Sequence, residues 1–114
     1  MESYLLLLHE PAALPEMSPE EMQAVIARYK AWGQKLAAAG RIAGSNKLED
    51  GTGRVLRSKA GEMRITDGPY AETKDVVAGY FLILADSYED AVEWSKDCPH
   101  LDFGTIEVRR IHVV

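Results

Sequence analysis

The chain has 114 residues, 46% of them hydrophobic, and carries 13 Lys and Arg against 18 Asp and Glu, a formal net charge of −5. That length suits one domain with a single core, and the acidic balance with dispersed cations argues against a module that binds nucleic acid by neutralising phosphates. No apolar run, Leu5 to Leu8 included, approaches the roughly 20 residues that span a bilayer, so no membrane association is expected.

Residues 3–9 read as a first strand bounded by Pro11 and Pro15. Tyr4, Leu6 and Leu8 fall on one face, Leu5 and Leu7 on the other, and a strand apolar on both faces needs cover on both. Ser18, Pro19 and Glu21 have the spacing of a capping box with proline at the first helical position. Met22, Val25, Ile26, Tyr29, Trp32, Gly33 and Leu36 then recur at three- and four-residue steps, so a helix is expected over 19–39 with its left-handed cap at Gly40.

A short strand over 42–48 is followed by the turn 49–53. Segments 54–58 and 62–66 flank Gly61 as a hairpin, and Asp67-Gly68-Pro69 interrupts the chain again. Residues 76–85 form a second strand apolar on both parities, in which Gly79 marks a bulge or a close backbone approach. Ser87 caps a second helix that ends before Pro99, and a last strand runs over 104–113.

Strand, helix, hairpin, strand, helix, strand is the order of an α+β fold of the ferredoxin-like type. Two helices cover one face of such a sheet, yet two strands are apolar on both. A second copy of the chain in a homodimer is the economical cover. Cys98 stands alone, so neither a disulfide framework nor a cysteine metal site is expected within one chain, and a cytoplasmic location is the default. Three scattered histidines without ligand spacing predict no metal site, and Gly51-Thr52-Gly53 lacks the strand-to-helix context of a phosphate loop.

The densest cluster of ionisable and turn-forming residues is 67–75, Asp-Gly-Pro-Tyr-Ala-Glu-Thr-Lys-Asp. It resembles the signature Asp-Gly-Pro-Phe-Ala-Glu-Thr-Lys-Glu of the YCII-related family in its DGPF-domain branch, departing from it at Tyr70 and Asp75. Further matches are Tyr4 to Leu7, Ala39-Gly40, Gly79-Tyr80 and the run from Gly104 to Arg109, so the resemblance covers nearly the whole chain; Arg110 departs, where many relatives have Pro. The resemblance implies a dimeric α+β barrel in which sheet pairs with sheet. It also implies a His–Asp pair as an active site in the broader family, and an association of some members with sigma factors of the extracytoplasmic-function type. Fold relatives include muconolactone isomerases and antibiotic-biosynthesis monooxygenases, but a fold does not carry a function with it.

On their own chemistry, the candidate residues each have two readings. Asp67 caps an Asx-turn, or acts at the mouth of a pocket as a general base or as a carboxylate that orients a histidine. His9 ends the first strand, and it forms a base pair with Asp67 if the 67–75 segment meets that end of the strand. Glu72 either pairs with Lys74 in solvent or joins Asp67 as one of two carboxylates in an acid–base site. Tyr70 supplies packing, since the family motif has no hydroxyl there, and Thr73 adds a hydroxyl. Arg109 clamps a ligand carboxylate or pairs with charges across the sheet or the dimer interface. His100 and His112 are weaker candidates.

Two functions follow from these readings. One is a small cofactor-free enzyme doing acid–base chemistry on a small organic acid or hydrophobic metabolite, with His9, Asp67 and Glu72 moving protons and Tyr70, Thr73, Lys74 and Arg109 holding the small-molecule ligand. The other is a non-catalytic ligand-binding or regulatory module that uses the 67–75 segment as its recognition surface.

Overall fold

The computed structural model describes residues 1–11, 14–68 and 75–114. The chain runs β1 (Glu2–Pro11), α1 (Pro19–Ala38), β2 (Ile42–Lys47), β3 (Arg54–Lys59), β4 (Glu62–Asp67), β5 (Asp75–Ala85), α2 (Tyr88–Ser95), a 3₁₀ turn (Pro99–Asp102) and β6 (Thr105–Arg110). Four strands form an antiparallel sheet in the order β2-β5-β1-β6, while among the described residues β3 and β4 pair only with each other. The two strands that are apolar on both parities, β1 and β5, occupy the centre. This is the α+β, ferredoxin-like arrangement expected from the element order.

Helix boundaries follow from their caps. The Ser18 hydroxyl accepts from the Glu21 N–H at 3.1 Å, and the Ser87 hydroxyl accepts from the Asp90 N–H at 3.1 Å. At the other end of α1, Gly40 takes a φ of 69° and the Arg41 N–H returns to the Leu36 carbonyl at 2.8 Å. This closes the helix with a glycine that needs no Cβ.

Register fixes which residues share a face. Tyr4 lies opposite Ile83 and Leu6 opposite Phe81, and this face packs under both helices. Tyr4, Leu6 and Ile83 form the core cluster with Trp32 and Leu36 of α1 and Ala91 of α2. A fully buried leucine such as Leu6 or Leu36 contributes about 1.5–3 kcal/mol. The opposite face carries Leu5 across from Leu82 and Leu7 across from Tyr80, and both helices lie on the other side of the sheet from it.

The pairing of β1 with β5 slips between Leu8 and His9, leaving Ala78 as the extra residue of a bulge beside Gly79. A Cβ at Gly79 would collide with the Asn46 carbonyl oxygen of β2, so this glycine meets both expectations, a bulge and a close approach. The last strand ends at Arg110 rather than at 113. Tyr4 is its last register partner near the start of β1, and only the Ile111 N–H reaches further, to the Ser3 carbonyl. Among the described residues no helix is long and apolar enough to cross a membrane.

Candidate functional site

The α1 stripe does two different jobs along its length. Its C-terminal half docks Trp32 and Leu36 into the core, whereas Met22, Val25, Ile26 and Tyr29 line a cavity of about 620 Å³ against the sheet. Leu8, Ala78, Gly79 and Phe81 supply the sheet wall, and His100 and Phe103 of the 3₁₀ turn and its end close another side. That volume is within the range of small-molecule pockets, and the lining is mostly apolar with a few polar groups, as such pockets are built. Lys47 and Asp50 line it too, but they pair with each other at 2.8 Å. Lys30 and Glu10 also line the cavity and form no ion pair among the described residues.

A hydrogen-bonded chain crosses the cavity wall. The His100 Nε2 lies 2.8 Å from the His9 carbonyl oxygen, and its Nδ1 lies 3.1 Å from the Tyr29 hydroxyl. A carbonyl can only accept, so Nε2 carries the proton. In the neutral ring Nδ1 is then an acceptor, and the Tyr29 O–H donates to it. His100 is 2% exposed and has both ring nitrogens partnered. Burial pushes the Tyr29 phenol above its ordinary value, with the Cys98 and Glu10 charges adding to the rise, so the phenol keeps its proton and is used as a hydroxyl.

Local sequence produces this arrangement. Pro99 opens the 3₁₀ turn that follows α2 and tucks His100 beneath β1. Gly104 then lets the chain pass against β1, since a Cβ there would run into the His9 carbonyl oxygen and crowd the Glu10 Cα. Burial pushes the Cys98 thiol up, the hydrogen bond with the His100 backbone opposing it more weakly, so this cysteine is a core residue rather than a nucleophile.

The residues singled out from sequence lie in three places. His9 is on the sheet face away from the helices, where its Nε2 meets the Glu107 carboxylate at 3.0 Å. Arg109 shares that carboxylate at 3.3 Å from two positions along the same strand. His9, followed by Arg109, holds the Glu107 carboxyl below the usual carboxylate range. The carboxylate that meets His9 is therefore Glu107 and not Asp67. Asp67 ends β4 with a side chain 91% exposed, 3.5 Å from the Arg54 guanidinium. Tyr70, Glu72, Thr73 and Lys74 lie outside the described residues. Asp75, the last residue of the motif, stands opposite Pro11, so the motif leads into β5 at the His9 end of β1.

Tyr29 and His100 are the polar pair that sequence reasoning passed over. Tyr29 sits in an apolar stripe where a tyrosine reads as core, and His100 follows a helix where a lone histidine reads as surface. Only the 3₁₀ turn opened by Pro99 brings them together, across 71 positions. Among the described residues no three His, Cys, Asp or Glu converge so as to hold a metal ion.

An uncharacterized protein of Rhizobium meliloti (strain 1021) is 31% identical over 108 residues, covering 92% of this chain and 87% of its own length. The solved structure of 5-chloro-2-hydroxyhydroquinone dehydrochlorinase from Burkholderia phenoliruptrix AC1100, in complex with 2,5-dihydroxybenzoquinone, matches with a TM-score of 0.51 at 16% identity. It covers 96% of this chain and 93% of its own, a likeness of fold. The model of the YCII-related domain matches residues 1–114, and with a relative of this closeness the chain belongs to the YCII-related family.

Proposed function

We propose that the chain is an enzyme that moves a proton on a ring-sized, mostly apolar metabolite bearing a hydroxyl or carbonyl group. The observation that carries this reading is the Tyr29–His100–His9 chain in the wall of the cavity. A substrate hydroxyl donating to the Tyr29 oxygen can give up its proton there as Tyr29 passes its own to His100 Nδ1. The product is a substrate oxyanion and an imidazolium whose Nε2–H stays on the His9 carbonyl. The fold neighbour's ligand, a dihydroxybenzoquinone, is of the size and chemistry that such a site takes. The Asp67–Asp75 motif is proposed to serve the same ligand, because Asp75 and Val76 enter β5 opposite Pro11 and Glu10.

The test is binding of catechol, 1,2,4-trihydroxybenzene and 2,5-dihydroxybenzoquinone, followed by thermal shift and by quenching of Trp32, whose ring meets the cavity-lining Phe81 edge-on at 4.8 Å. At least one compound is expected to bind, with Tyr29→Phe and His100→Gln weakening it about tenfold, the effect of one hydrogen bond of about 1.4 kcal/mol. Silence from all three compounds, or equal binding by both variants, overturns the reading.

Binding without turnover is a second reading. It is favoured by the projecting hairpin of β3 and β4, which leaves Leu56, Met63 and Ile65 some 60% exposed, as a partner-binding element would. A Tyr29→Phe variant that binds tenfold worse but has no turnover to lose, with any ring compound, supports that reading over the enzyme.

The protein is further proposed to be a homodimer that pairs the helix-free sheet faces, around Leu5, Leu7, Leu82 and Leu84. Its accessible surface of 8091 Å² is well above the roughly 6,200 Å² of a compact monomer of this mass.

A further inference from the structure

Glu10 is the one carboxylate of the cavity with no partner among the described residues. Asp50, the other, is held by Lys47. Glu10 follows His9 directly, so the backbone that anchors the relay also carries this carboxylate. Gly104 packs against the same two residues. Two residues on from Leu8 in β1, Glu10 is on the side of Leu8, the side that faces α1. Its charge reaches the Tyr29 phenol across the cavity. The pocket thus holds a free carboxylate and a phenol–imidazole relay, with Leu8, Ile26 and Phe81 as apolar walls for a ring.

Resting on the proton-transfer reading of this site, we propose that Glu10 is its second proton-transferring residue, and that Glu10 with the Tyr29–His100 relay interconverts enolisable cyclic ketones and their enols. In the ketone-to-enol direction His100 starts as imidazolium, donating from Nε2 to the His9 carbonyl and from Nδ1 to the Tyr29 oxygen, which turns the Tyr29 O–H into the cavity. The Glu10 carboxylate takes the proton from the carbon beside the carbonyl, and that C–H pair becomes the new C=C bond. The carbonyl π pair moves onto oxygen, which takes the Tyr29 proton, and Tyr29 takes the Nδ1 proton. Glu10 ends protonated and His100 neutral, with the tautomer described above. The reverse reaction resets both, no electron is gained or lost, and no co-reactant is needed. Lys30, at the same cavity, adds a cation that favours the developing enolate.

The experiment follows exchange of the α C–H protons of 2-tetralone for deuterium in D₂O by proton NMR, with wild type, Glu10→Gln and Tyr29→Phe. Binding of 2-tetralone and thermal unfolding are measured on each protein. Wild type is expected to accelerate exchange over buffer, and Glu10→Gln to lose about 10²-fold or more of that acceleration while binding within about twofold of wild type, as expected for a residue that acts on the proton and not on the ring. Exchange by Glu10→Gln at the wild-type rate, with Tyr29→Phe impaired, overturns the role of Glu10 and leaves the relay standing. Absence of any acceleration by wild type overturns the proposal, and if the hydroxylated rings still bind through Tyr29 the broader reading survives it. Equal acceleration over buffer by all three proteins overturns both.

Discussion

Asp90 shows how much one side chain can be asked to do. Its carboxylate accepts from the Asp86 N–H at 2.9 Å and from the Arg41 guanidinium at 2.7 Å, and the same guanidinium stacks 5.5 Å from the Trp94 ring. The Asp86 backbone hydrogen bond, with Arg41 behind it, holds the carboxyl below its ordinary value of 3.8. With the folded value depressed, the unfolded chain takes the proton first as pH falls. The contribution of Asp90 to stability is therefore complete above about pH 3.8 and is lost as pH drops through the lower folded value. Asp90→Asn is expected to unfold at lower urea than wild type at pH 7, with the difference shrinking steadily below pH 3.8; a difference that stays constant would show that charge is not its source. Gly104→Ala is expected to cost about 1–3 kcal/mol, the range of an overpacked contact, because its Cβ meets the His9 carbonyl. It should also weaken ring binding, since that carbonyl anchors His100. Residues of this kind are unevenly legible. Ser18, Ser87 and Gly40 announce themselves because caps act within four residues of sequence. His9 is visible as a strand-end histidine, but its carboxylate partner lies 98 positions away in β6, a distance no local pattern spans, and the nearer motif carboxylate Asp67 was the natural expectation.

At the scale of elements, α1 divides at Tyr29. Leu36, fully buried in the docked half, should cost about 2–5 kcal/mol on replacement by Ala. Ile26, 47% exposed over the cavity, should cost less than about 1 kcal/mol on the same change; chemical denaturation of the two variants measures the contrast, and equal losses would mean that the N-terminal half docks as firmly as the other. The periodicity of α1 was legible, and its division was not. An apolar stripe records only that something covers it, and a ligand cavity and a core satisfy the same pattern. The hairpin tells a similar story. Its turn, Ala60-Gly61, holds both residues at positive φ, 52° and 81°, the type I′ geometry that Asn-Gly satisfies best. Ala60→Asn is expected to stabilise β3 and β4 by about 0.5–1 kcal/mol, read as slower amide exchange in the hairpin alone. Gly61 marks this turn in the sequence, whereas the separation of the hairpin from the main sheet depends on where β2 finds its partner, and β2 pairs with β5.

The whole molecule is a slab. Its extents are 49 × 44 × 18 Å and its radius of gyration is 16.2 Å, against roughly 13 Å for a compact chain of this length. Eighteen ångströms is the thickness of one sheet and one helix layer, and among the described residues the helices cover one side of the sheet. The uncovered side holds Leu5, Leu7, Tyr80, Leu82 and Leu84 in the two central strands, bordered by the His9–Glu107–Arg109 cluster on β6 and its neighbour β1. The pattern that makes this side visible in sequence, two strands apolar on both parities, is a statement about burial and carries no information on what does the burying. The proposed second copy would meet it with the least added chemistry, because a two-fold axis would lay the same leucines against one another and leave the charged cluster at the margin. A stable interface of this kind buries about 1,600 Å² in total, within the excess surface of the isolated chain. Light scattering after size exclusion is expected to give twice the 12.6 kDa chain mass at 10 µM or above. Leu7→Lys, at the centre of the face, should give a folded monomer whose unfolding temperature no longer rises with concentration. Leu56→Lys, on the projecting hairpin, should leave the dimer intact. A wild-type monomer at 10 µM would remove the dimer, and a Leu7→Lys dimer beside a Leu56→Lys monomer would move the interface from the sheet to the hairpin.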